Sequence, residues 1–149
     1  MKNFFLLAKI LVIYFFLISG IDAKQQDYLN KGIKLFNKKE FDKSKILFEK
    51  DLVFDPKSEK SYLYLAKIFN KNNDEEQQEI NLNSVLLLNP ENDEAIYMLA
   101  LLKIKQSDYD QAAELIGKFV LVCKSFCSKV NEIKEKFKIL IPENAKNNN

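Results

Sequence analysis

Small, apolar and proline residues recur in this sequence at a spacing of 34 residues. Asp55-Pro56 and Asn89-Pro90 are one pair separated by this offset. The same offset relates the other matched positions, which are Tyr28, Tyr62 and Ile96; Gly32, Ala66 and Ala100; Leu35 and Phe69; and Phe48, Leu82 and Ile116. A fixed period of this length indicates that the chain stacks copies of one supersecondary unit. The main alternative is an ordinary helical bundle with accidental periodicity.

The best-formed copy of the unit reads Tyr62-x2-Leu65-Ala66-x2-Phe69, followed by Leu82 and Pro90. This pattern resembles the tetratricopeptide repeat, in which an aromatic, a leucine and a small residue open the first helix and a proline ends the unit. The resemblance covers roughly residues 25–126. The departures from the family pattern are Lys31, Glu75, Gln78, Lys103 and Lys124. The resemblance implies an all-α fold, a short superhelix of about three helix hairpins at 25–58, 59–92 and 93–126 with a C-terminal capping helix.

Each hairpin is expected to consist of two helices joined by a short turn. The predicted helices are 25–38, 41–54, 59–72, 75–88, 93–106 and 109–122. Asp93 and Asp108 are predicted N-caps, because carboxylates accept hydrogen bonds from free amides at a helix start. Val130, Ile133, Phe137 and Leu140 form one apolar stripe at helical spacing, which predicts a capping helix at 127–141. The polar tail 142–149 is expected to be disordered.

Residues 1–23 have the features of an export signal. Lys2 and Lys9 precede an unbroken apolar run from Ile10 to Ile18, and small residues follow it. This arrangement is typical of a cleaved secretory signal peptide and predicts a periplasmic or cell-envelope protein. The alternative is an uncleaved N-terminal helix that anchors the chain to the inner membrane, which would be its only membrane contact.

The composition excludes most catalytic chemistries. The chain has no histidine, no arginine and three glycines, so it has no Ser-His-Asp triad, no histidine-ligated metal and no glycine-rich phosphate loop. A net charge of +2 does not predict a nucleic-acid surface. We therefore expect a non-catalytic protein without a metal or cofactor. The acidic run Asp74-Glu75-Glu76 is interpreted as the start of a helix, which acidic side chains stabilise by interacting with the helix dipole.

By resemblance to the family, the first helix of each hairpin lines an inner groove that binds a partner protein. The matching residues are Leu29, Ile33, Phe36, Leu63, Lys67, Asn70, Lys71, Tyr97, Leu101 and Ile104. They predict an apolar groove with a basic centre at Lys67 and Lys71, suited to an amphipathic helix or an extended segment with one acidic group. The alternative is that several of them pack between helices. The carboxylate clamp of some family members is not expected, because Leu29, Ile33 and Glu94 occupy its positions.

Cys123 and Cys127 are the only cysteines, and they leave two interpretations open. In an oxidising compartment they form a disulfide, provided that the helix breaks between them. Otherwise they are two buried free thiols. Two cysteines do not make a zinc site by themselves.

The sequence thus predicts a non-catalytic adaptor or scaffold of the cell envelope. Two alternatives remain: a subunit of an envelope or outer-membrane assembly complex, and a structural homo-oligomer.

Overall fold

A computed structural model describes residues 27–140, and this part of the chain contains helices and no strands. Helix α1 spans residues 27–37. The later elements are α2 (Phe41–Phe54), α3 (Glu59–Lys71), α4 (Glu75–Leu88), α5 (Asp93–Lys105), α6 (Tyr109–Val122), a 3-10 turn (Cys127–Lys129) and α7 (Val130–Leu140). The all-α class is confirmed, and α2, α4 and α6 have the predicted bounds. Across residues 27–140, no helix has the length and apolar character needed to cross a membrane. The segment 1–23 and the tail 142–149 lie outside the described residues.

The turn inside each hairpin has the same backbone conformation. One residue in each turn has a positive φ, namely Lys39 (64°), Asn73 (56°) and Ser107 (61°). The next N–H donates to a carbonyl five residues earlier, at 3.0, 3.0 and 2.9 Å in the three turns. This left-handed residue with a backward hydrogen bond is the Schellman pattern that ends a helix. The three turns are 34 residues apart, so the backbone repeats with the sequence.

Capping residues at the helix starts agree with the prediction at Asp108 and differ at Asp93. The Asp74 and Asp108 side chains accept from the N–H groups of Gln77 and Gln111, at 3.1 and 3.2 Å. At the start of α5 the capping side chain is Asn92, which accepts from Ala95 N–H at 2.8 Å. The prediction for Asp93 was wrong because its carboxylate is bound to another part of the chain.

The chain divides into two compact units, residues 1–61 and 62–149. In the first unit α1 and α2 approach closely at Gly32. A Cβ atom at Gly32 would lie 2.7 Å from Cε1 of the fully buried Phe48 ring. The Ser44 hydroxyl donates to the Gly32 carbonyl at 2.9 Å. Small residues are thus required on both helices where they cross.

A buried carboxylate joins the end of α2 to the start of α3 in the first unit. Asp51 is 1% exposed, and its Oδ2 accepts from the hydroxyls of Ser58 and Ser61, each at 2.6 Å. The 34-residue offset aligns Asp51 with Val85 and Phe119. The first repeat thus uses hydrogen bonds at a position where the later repeats use apolar packing.

Helix α5 forms the centre of the second unit. It is the element richest in buried residues there, and its buried side chains are Ala95, Ile96, Tyr97, Leu99, Ala100, Leu102, Lys103 and Ile104. The Lys103 ammonium is nearly buried and pairs with Glu79 of α4 at 2.6 Å. From the cap α7, Ile133 is fully buried in the same core. A buried charge is tolerated here because its partner lies within hydrogen-bond distance.

Candidate functional site

The second unit contains a cavity of about 450 Å³ bordered by α3, α4, α5 and α7. Its lining is mostly apolar and consists of Asn70, Gln78, Met98, Leu101, Leu102, Ile104, Lys105, Lys136 and Leu140. A cavity of this size with a few polar groups is typical of a binding site. Asn70, Leu101 and Ile104 are the predicted groove residues that line it.

The charged groups of the cavity wall are two lysines, and the wall holds no carboxylate. Lys105 pairs with Glu75 at 2.8 Å, and this hydrogen bond lowers the pKa of Glu75 below its ordinary value. Lys136 lies on the exposed side of α7 and makes no ion pair within residues 27–140. The wall thus favours an apolar ligand that carries negative charge.

The expected basic centre of the groove is neutralised at Lys67. Its ammonium pairs with Glu94 at 2.8 Å and lies 4.9 Å from the ring centroid of Tyr64. Lys71 is exposed, and Leu63 is half-buried against the core. None of these predicted residues lines the cavity. The sequence prediction missed this neutralisation because Glu94 comes from a different helix.

Tyr97 belongs to the core, which corrects its expected place in the groove. It is 9% exposed, and its ring packs on Phe119 and Phe126 with centroid separations of 5.6 and 6.0 Å. Its hydroxyl donates to Glu132 at 3.0 Å. Burial and the Glu132 carboxylate raise the pKa of Tyr97 above its ordinary value. The residue is covered because the cap and the loop before it pack over this part of α5.

The predicted groove residues of the first unit are half-buried side chains of α1. They are Leu29, Ile33 and Phe36. The Phe36 ring packs edge-on against Phe41 with centroids 5.3 Å apart. These contacts agree with the alternative that part of this set packs between helices.

The loop between α6 and the cap is closed by a disulfide between Cys123 and Cys127, whose Cα atoms are 5.2 Å apart. Helix α6 ends at Val122, so the helix breaks where a bridge requires it. Of the two interpretations, the structure has the disulfide and no free thiols within residues 27–140. The cysteines are half-buried and exposed rather than buried.

The same loop binds the Asp93 carboxylate. Asp93 Oδ2 accepts from the backbone N–H groups of Lys124, Ser125 and Phe126 at 2.7, 2.6 and 2.9 Å. Burial opposes ionisation of this carboxyl, but the donors outweigh it and lower the pKa of Asp93. Three consecutive N–H groups directed at one oxygen form an anion-binding nest.

Several cavity residues were not predicted from the sequence. They are Gln78, Met98, Leu102, Lys105, Lys136 and Leu140. Leu140 was assigned to the apolar stripe of the cap, and that stripe is the one signal that points to it. The others are adjacent to the cavity only because α4 and α7 pack against α5.

Comparisons with known proteins place this architecture among tetratricopeptide-repeat structures. The OM64 domain from Arabidopsis matches with a TM-score of 0.71 and 14% identity, over 78% of this chain and 96% of that chain. The first such domain of Spaghetti (RPAP3), bound to an HSP90 peptide SRMEEVD, matches with a TM-score of 0.69 and 16% identity, over 78% and 92%. A repeat protein from Parabacteroides merdae matches with a TM-score of 0.66 and 22% identity, over 76% and 45%. No family model and no curated protein matches the sequence. The chain therefore has the tetratricopeptide-repeat fold.

Proposed function

Because residues 27–140 have the tetratricopeptide-repeat fold, we propose that this chain is a non-catalytic adaptor that binds a segment of a partner protein. The observation that carries the proposal is the cavity between α3, α4, α5 and α7, with its apolar wall and its two lysines. No metal or cofactor is needed for this role.

The partner segment we propose is apolar with at least one acidic group. Met98, Leu101 and Leu140 offer apolar surface, while Lys136, which has no ion pair within residues 27–140, supplies positive charge. An amphipathic helix or an extended peptide satisfies both requirements. The peptide bound to RPAP3, SRMEEVD, is itself acidic, which supports this class of ligand. A nucleic acid is not proposed, because the cavity has no basic face to follow a phosphate backbone.

We also propose that the adaptor acts in the periplasm or cell envelope. The apolar segment within residues 1–23 supports export, and the Cys123–Cys127 disulfide fits an oxidising compartment. Membership of an envelope or outer-membrane assembly complex is the more specific form of this role. A structural homo-oligomer is the second candidate, favoured by the exposed Leu87 and Leu121 side chains (84% and 85% exposed).

The test is an in-cell crosslinking pull-down with matched variants of the cap helix. Leu140→Glu and Lys136→Glu change the cavity wall, whereas Ile139→Glu and Lys138→Glu change exposed side chains of the same helix that do not line it. We expect the wall variants to reduce partner recovery by about tenfold, because a buried apolar contact or a charge pair contributes on the order of 1–2 kcal/mol. The controls should recover the partner as the wild type does.

Circular dichroism of all four variants establishes that the helices remain folded. Equal loss of partner from wall and control variants would refute the cavity as the binding site. Recovery of this chain alone, with light scattering showing a dimer or larger species, would instead support the homo-oligomer.

A further inference from the structure

The disulfide between Cys123 and Cys127 encloses the residues that bind Asp93. Lys124, Ser125 and Phe126 lie between the two cysteines, and their N–H groups converge on the Asp93 carboxylate. A closed loop holds these three amides in one direction at a lower entropic cost than an open loop. The covalent bridge therefore supports the contact between the loop and the start of α5.

The loop in turn positions the cap on α5. Phe126 packs against Tyr97, and the Tyr97 hydroxyl donates to Glu132 on the cap. Ile133 follows directly and is fully buried. The attachment of α7 to the core thus begins at the residues next to the disulfide.

The cap is held on the core mainly by one fully buried residue, Ile133, with the half-buried Val130 and Phe137 packed beside it. Ile133 is the one buried residue of α7, and the Phe137 ring lies 6.4 Å from Tyr109. A helix with little buried apolar surface opens locally at low free-energy cost. Its attachment is therefore sensitive to the constraint before it.

The cap also supplies one wall of the cavity, through Lys136 and Leu140. The disulfide is open to a reductant, because Cys127 is exposed. A change at the bridge is thus positioned to alter the cavity, whose residues Lys136 and Leu140 follow Cys127 by nine and thirteen positions.

We propose that the Cys123–Cys127 disulfide is a redox switch for the cap. A small dithiol attacks the exposed Cys127 sulfur, the protein S–S bond breaks, and a disulfide forms within the dithiol. The two electrons pass to the protein sulfurs, and the two thiol protons of the reductant end on Cys123 and Cys127. Reduction leaves the loop open, detaches α7 and removes its wall from the cavity. This inference concerns the cap and does not depend on any partner.

Hydrogen exchange of the full chain tests the switch. Air-oxidised protein, dithiothreitol-treated protein and the Cys123→Ser/Cys127→Ser double variant are compared by mass spectrometry, with thiols counted in parallel. We expect α7 amides to exchange on the order of tenfold faster after reduction and in the double variant. Amides of α4 and α5 should keep their protection, and the double variant should not respond to dithiothreitol.

Unchanged exchange of α7 after complete reduction would overturn the proposal. The proposal would also fail if amides of α4 and α5 lost protection together with those of α7, because the bridge would then stabilise the whole second unit. Two free thiols in the air-oxidised protein would also refute the proposal, because it requires the Cys123–Cys127 disulfide. If the double variant does not fold, the oxidised and reduced forms of the wild type still decide the question.

Discussion

At the scale of single residues, the two helical glycines of the described chain have opposite roles. Gly32 faces the buried Phe48 ring, and an added Cβ would lie 2.7 Å from it. Gly117 is exposed, and an added Cβ there would have no atom within 4 Å apart from its own chain neighbours and the nearby backbone of α6. The pair separates the effect of close packing from the intrinsic helix preference of alanine.

We predict that Gly32→Ala lowers the free energy of unfolding by about 1–3 kcal/mol, because the aromatic ring must shift within a packed interior. Gly117→Ala should raise it by about 0.5–1 kcal/mol, since alanine loses less backbone entropy in a helix. Urea unfolding followed by circular dichroism measures both changes. Phe48→Leu should recover part of the loss at Gly32, and equal effects of the two alanines would contradict the packing argument.

At the scale of elements, the junction between α5, α6 and the cap depends on the charge of one carboxylate. Asp93 has its pKa lowered in the folded state, because its backbone donors outweigh the effect of burial. A carboxyl group with a depressed folded pKa contributes stability above its unfolded value of about 3.9. That contribution is lost as the pH falls through the folded pKa.

We therefore predict that Asp93→Ala lowers the melting temperature at pH 7 and has little effect on it near pH 2, where the carboxyl is protonated. The loss should correspond to about 1–3 kcal/mol, because three loop N–H groups lose their acceptor. Thermal unfolding of the wild type and the variant between pH 7 and pH 2 measures the difference. Glu114→Ala, which removes an exposed acid from the middle of α6, is the matched control and should change little at either pH. A constant difference across this range would show that the charge is not involved.

At the scale of the whole molecule, the prediction concerns the segment before the repeats. If residues 1–23 are a signal peptide, protein recovered from the cell envelope should lack them, and its N-terminal sequence should begin near Lys24. Val12→Glu places a charge in the apolar run and should leave full-length protein in the cytoplasm. Edman sequencing and intact mass after cell fractionation identify the N-terminal residue and the length of the protein in each fraction. Full-length wild type in the membrane fraction would instead indicate an uncleaved anchor.

The helix bounds were predictable because they depend on neighbouring residues. Proline spacing, caps such as Asp108 and the apolar period act over a few positions along the chain. The 34-residue period then extended one hairpin to the whole repeat region. Asp93 shows the limit of this reasoning. It is a residue type that commonly caps helices, but its carboxylate accepts hydrogen bonds from a distant loop instead of from the start of α5.

The sequence by itself determined the helices, their turns and the repeat, since each is specified by local spacing and capping. Tertiary structure alone decided which side chains form the site. Lys67 is neutralised by Glu94, Tyr97 is buried by the cap, and Lys136 reaches the cavity wall. Each of these contacts joins different helices, and their geometry follows from how the helices pack. Periodicity places a residue on a helix face, but the identity of its neighbour is settled by packing.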